Sequence, residues 1–98
     1  MNNTRRKEIQ SVIRNIKSVA EDITAKLEEL KDEIESIQDA EQEALDNMPE
    51  SLEGSERYTT MEEAIASLQS AMDAVEEADS TFTDAVDTVI SSLEEASV

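Results

Sequence analysis

Apolar residues recur at alternating intervals of four and three along two stretches of this chain, and the single Pro and single Gly both fall in the gap between them. The first series is Ile9, Ile13, Ile16, Ala20, Ile23, Leu27, Leu30, Ile34 and Ile37, extended by Glu41 and Ala44. The second is Met61, Ile65, Leu68, Met72, Val75, Asp79, Phe82, Val86, Val89, Leu93 and Ala96. Such spacing places every member on one side of an α-helix, and kept up for about five heptads it marks two helices that pair along a seam. A repeat of 3.5 falls short of the 3.6 residues in a helical turn, so a left-handed supercoil is predicted.

The gap reads as a turn. Asn47 suits a left-handed helix C-cap, and Pro49 cannot continue a helix without losing a hydrogen bond and clashing with the preceding turn. Thr60-Met61-Glu62-Glu63 has the form of a capping box, in which the Thr60 hydroxyl accepts from the Glu63 backbone and the Glu63 carboxylate reaches back. The predicted organisation is one unit over residues 1–98, with a first helix at about 4–47, a connector at 48–59 and a second helix at about 60–97. Leu52 and Tyr58 have no periodic partner in the connector and are predicted to fold over the open end of the seam.

Composition agrees with thin, helical architecture. The aromatic residues are Tyr58 and Phe82 alone, while 34% of the 98 residues are charged and 38% are hydrophobic, which suits long helices better than a broad core. There is no Cys, so disulfides and thiolate chemistry are excluded. The basic start, Arg5-Arg6-Lys7, leads into an amphipathic stretch rather than a continuous apolar run, so neither a signal peptide nor a membrane span is predicted and the chain reads as cytoplasmic.

Net charge is −17, unevenly placed: residues 1–31 carry seven basic side chains against five acids, residues 32–98 carry Arg57 against twenty acids. A short connector imposes antiparallel helices, which brings Arg5, Arg6 and Lys7 to the negative end of the second helix and offers each unfavourable helix-end cluster the other. Lys26 and Lys31 then lie in the neighbourhood of Glu76, Glu77 and Asp79. Asp79 interrupts the apolar seam, where a lone carboxylate is costly unless paired, and Lys26 or Lys31 is its predicted partner.

A second apolar edge flanks the seam. Ala64, Ala71, Ala78 and Ala85 follow at intervals of seven on the second helix, and Val12, Val19 and Ala40 occupy the matching flank of the first. One seam is thin cover for the ordering entropy of a chain this size. The sequence therefore predicts an all-α, antiparallel two-helix coiled-coil hairpin that pairs with a second copy through Val12, Val19, Ala64, Ala71, Ala78 and Ala85 to form a four-helix bundle.

No enzymatic centre is legible. There is no His and no Cys, one Gly cannot build a phosphate-cradling loop, and the paired carboxylates lack calcium-loop spacing, so no catalytic residue, cofactor or metal is predicted. Direct nucleic-acid binding is disfavoured by the acidic balance and the lack of aromatics between the cations. Asp73, Glu76, Glu77, Asp84 and Asp87 instead form an acidic face. Rows of carboxylates on a helix imitate a duplex, which carries one charge per about 1.7 Å, and would suit a basic-surfaced host protein.

The connector Asp46-Asn47-Met48-Pro49-Glu50-Ser51-Leu52, followed by Ser55-Glu56-Arg57, resembles the turn of small acidic helical-hairpin proteins encoded in phage and prophage genomes. The likeness covers these residues in motif and the whole chain in layout. It implies a viral or mobile-element origin and a host-cytoplasmic setting, and it carries no activity onto any residue. The function expected is that of a non-enzymatic protein–protein interaction module, with an acidic nucleic-acid mimic inhibiting a host nucleic-acid-binding or defence protein as the alternative.

Overall fold

The computed structural model describes Met1–Val98. Two long helices, α1 (Asn3–Asp46) and α2 (Glu56–Ala96), pack against each other, and a single 3₁₀ turn, Glu50–Leu52, lies between them. There is no strand. The pairing is antiparallel: Arg6 meets Ser97, Lys31 meets Glu76, and Gln38 meets Gln69.

Each helix end has a local cause. Asn2 caps α1, its Oδ1 accepting from the Arg5 N–H at 2.9 Å. At the other end Asn47 does not take the left-handed conformation, since no residue other than glycine has a positive φ. The Met48 N–H closes instead on the Leu45 carbonyl at 3.1 Å, and Pro49 turns the chain out with φ −58° and ψ 144°. The left-handed step belongs to Gly54, at φ 81°.

Helix α2 begins at Glu56, four residues before the predicted capping box. Ser55 is the cap, its Oγ accepting from the Tyr58 N–H at 3.2 Å. Thr60 is already inside the helix and donates its hydroxyl to the Glu56 carbonyl at 2.9 Å. Two cap signals stand close together here, and the earlier one prevails because Gly54 reverses the chain directly before it. The extra turn brings Tyr58 onto the seam side, where it lines a small cleft with Leu45 and Ile65. Leu52 stays 42% exposed.

The chain divides into two compact units, a terminal unit (residues 1–27 with 77–98) and a turn unit (residues 28–76). In the turn unit lie the two buried hydrophobic residues, Leu45 and Met72. In the terminal unit Ile9, Ile13, Ile16, Ala20 and Leu27 of α1, with Phe82, Val86, Ile90 and Leu93 of α2, are half-buried.

The buried positions depart from the strict heptad. Along α1 the residues spaced by seven leave the seam step by step, Ile23 being 36% exposed, Leu30 48% and Ile37 57%. Their places are taken by the next residue along: Lys31, Gln38 and Leu45 are half-buried or buried where Leu30, Ile37 and Ala44 were predicted. Helix α2 does the same later, with Val89 44% exposed and Ile90 half-buried. The cause is the predicted supercoil failing to hold the repeat at 3.5: an ordinary helix gains about 20° on each heptad, so five heptads displace the stripe by about one residue.

Candidate functional site

That drift creates the main surface feature of α1. Val12, Val19, Ile23, Leu30 and Ile37 are all exposed on it, at 45%, 54%, 36%, 48% and 57%. Val12 and Val19 were legible from the sequence as a flank, whereas Ile23, Leu30 and Ile37 were assigned to the seam. Helical angles counted at 3.6 residues per turn, rather than heptad letters, would have found them.

In the terminal unit Val19 lines an open groove of about 280 Å³ together with Asn15, Ile16, Phe82 and Val86. No charged side chain lines it. Ala78 and Ala85 are exposed in the same unit. In the turn unit Ala64 and Ala71 are half-buried, while Leu30 and Ile37 are exposed. The whole protein exposes 7059 Å². A monomeric globular protein of this mass exposes roughly 5,600 Å², so this chain displays much more surface than its size requires.

The turn unit also has a polar cleft, of about 250 Å³, lined by Lys31, Glu35, Gln38, Gln69, Met72, Asp73 and Glu76. Lys31 is ion-paired with Glu76 across the two helices. The Gln38 amide donates to the Ile65 carbonyl and to Gln69 Oε1, both at 3.2 Å, and Gln69 passes the chain on to Asp73 Oδ1 at 3.1 Å. Lys31 is held above its ordinary value of 10.5, chiefly by the hydrogen bond to Glu76; desolvation opposes this, and the charges of Glu76, Glu28 and Glu35 add to it. These bonds carry the polar side chains that helical drift turns into the seam.

The five residues expected to make an acidic face, Asp73, Glu76, Glu77, Asp84 and Asp87, are each exposed. The set is not uniform: Glu76 is engaged by Lys31 and Asp73 by Gln69. By unit, residues 1–27 and 77–98 carry six basic side chains against nine acids, net −3, while residues 28–76 carry two against sixteen, net −14. No group of three or more carboxylates converges to share a cation. No helix is long and apolar enough to cross a membrane.

Asp79, for which the sequence predicts Lys26 or Lys31 as partner, is met by neither at its buried Oδ1, and Lys31 is ion-paired with Glu76. That oxygen lies in the terminal unit and has no hydrogen-bond partner. At the chain ends the basic cluster does meet α2, through the Arg6 Nε that donates to the Ser97 carbonyl at 3.1 Å. A cation there satisfies a helix C-terminus that lacks an intrahelical donor.

Compared with known proteins, the chain matches no family model, no curated protein and no solved structure.

Proposed function

We propose that the protein is a non-catalytic interaction module, of phage or prophage origin, that acts in the cytoplasm of its host through protein–protein contacts and binds first of all to a second copy of itself. The observation that supports this is the row of exposed aliphatic side chains on α1, Val12 to Ile37, in a chain of net charge −17. Exposed aliphatic side chains gathered on one helix mark places where a partner docks. A second hairpin laid on that side completes a four-helix bundle whose faces include Val12, Val19, Ala64, Ala71, Ala78 and Ala85. Light scattering at micromolar concentration is expected to return about twice the chain mass of 10.9 kDa, and the pair Ala71→Glu with Ala78→Glu to return about one. A parent protein that scatters as a single chain refutes self-association.

One observation favours a second reading. The net charge of −14 confined to residues 28–76 gives that unit the character of an acidic decoy for a basic, nucleic-acid-binding host protein. A decoy complex weakens steeply as salt rises, whereas a helix seated in an apolar groove hardly changes. Neutralising Asp73, Glu77, Asp84 and Asp87 together by amide substitution abolishes partner binding under the decoy reading and leaves it intact under the first.

A further inference from the structure

Within the turn unit the two helices answer each other at intervals of seven. Lys31 meets Glu76 and Gln38 meets Gln69, and the next step, forward along α1 and back along α2, sets Leu45 against Glu62. Leu45 and Glu62 do line one cleft, of about 310 Å³, together with Gln42, Asp46, Tyr58 and Ile65. The first of these rungs joins a cation to a carboxylate, and the second joins two amides. In the third, the α1 side chain is aliphatic and 8% exposed, and it offers the Glu62 carboxylate no donor.

Three sources of negative potential converge on this cleft. Glu62 comes from α2, and Asp46 is the last residue of α1, with its Oδ1 accepting from the Gln42 amide at 2.9 Å. The third source is the carbonyl end of α1 itself, whose last turn contains no basic side chain. No Lys or Arg lines the cleft, although the polar cleft of the same unit has the same kind of lining, Gln38 and carboxylates of both helices, and contains Lys31. The protein thus shows in one cleft how a cation is received between the helices, and repeats the receiving groups in the other without a cation of its own.

The remaining walls select among cations. No group of three or more carboxylates converges to hold a metal ion. Tyr58, Leu45 and Ile65 supply an aromatic ring and two aliphatic side chains, which suit a flat, weakly hydrated cation on an apolar stem better than a compact ammonium. We infer that this cleft is a receptor for an arginine side chain of a partner protein, its guanidinium placed between Glu62 and Asp46 and its stem against Leu45 and Ile65. The inference rests on the reading of the turn unit as an acidic decoy, and adds to it a defined anchor point and the residue type that occupies it.

The probe is a peptide with one arginine, acetyl-Gly-Arg-Gly-amide, titrated into the whole protein at low salt. Tyr58 is the only tyrosine, so its ring protons report on the cleft alone in the nuclear magnetic resonance spectrum. They are expected to shift to saturation with the arginine peptide and to respond more weakly to its lysine counterpart. Glu62→Gln, at an exposed position and with helicity checked by circular dichroism, should weaken the binding by about fivefold. Glu63→Gln makes the same change of charge one residue away, outside the cleft, and should bind as the parent does. Equal weakening by the two substitutions, or a Tyr58 ring that does not respond, overturns the site.

Hexa-arginine separates the site from the reading beneath it. If that peptide binds with steep salt dependence while Tyr58 stays still, the cleft is overturned and the decoy reading stands. If neither peptide binds at low salt, both are overturned.

Discussion

The terminal unit and the turn unit are written in one heptad pattern, yet they are packed and charged differently. The turn unit contains both buried hydrophobic residues and ties its helices together with Lys31–Glu76 and the Gln38–Gln69–Asp73 chain. It carries net −14. The terminal unit carries net −3, has an uncharged groove between its helices and keeps an unpaired carboxylate oxygen in its seam. The difference teaches that apolar spacing by itself decides that helices pair, while the few polar residues carried into or left within the seam decide how each stretch is held.

The largest expected effect sets the two cores against each other. Met72→Ala, which opens space around a side chain only 5% exposed, should cost about 3 kcal/mol in chemical denaturation, whereas Val86→Ala, at a half-buried site on the terminal groove, should cost about 1 kcal/mol. Equal losses at the two sites would erase the contrast. Asp79→Leu should then raise stability by about 1 kcal/mol, because it removes a buried oxygen with no partner and adds apolar contact. A loss on that substitution means that the carboxylate is satisfied in solution.

The smallest effect belongs to the ion pair of the turn unit. Lys31 binds its proton more tightly folded than unfolded, so its contribution is complete below about 10.5 and declines as pH rises through the higher folded value. The thermal midpoint should fall between about pH 9 and about pH 12 by more in the parent than in Lys31→Met, which has no proton there to lose. Because the pair is solvent-exposed, the difference is small. Identical falls in the two proteins would remove Lys31–Glu76 from the account of what holds this unit.

Helix pairing, its direction and the place of the turn are all legible in the sequence, because Ile9, Ile13, Ile16, Ala20 and Leu27, with Met61 to Val86, occupy seam positions under either a 3.5 or a 3.6 repeat, Ile23 alone standing outward among them. The readings diverge only after several heptads, which is why Leu30, Ile37 and Val89 were assigned inward and stand outward. The start of α2 was obscured by competition between two cap signals, Ser55 and Thr60, that propensity ranks alike. Asn47 was given the left-handed step that Gly54 takes at lower conformational cost. The lysine pairing of Asp79 depends on side-chain reach, which spacing along one chain does not specify.

The gradual exit of Ile23, Leu30 and Ile37 from the seam works like a vernier, in which two nearly equal scales slide out of phase over a distance fixed by their ratio. Hydrophobic side chains offered to the outside therefore accumulate with helix length instead of being added by separate design. A shorter hairpin in this alphabet would turn fewer of its seam-spaced aliphatic residues to the outside. One more heptad would push the outermost residue further around its helix, so the extent of exposed apolar surface is a quantity that insertion and deletion alone can set.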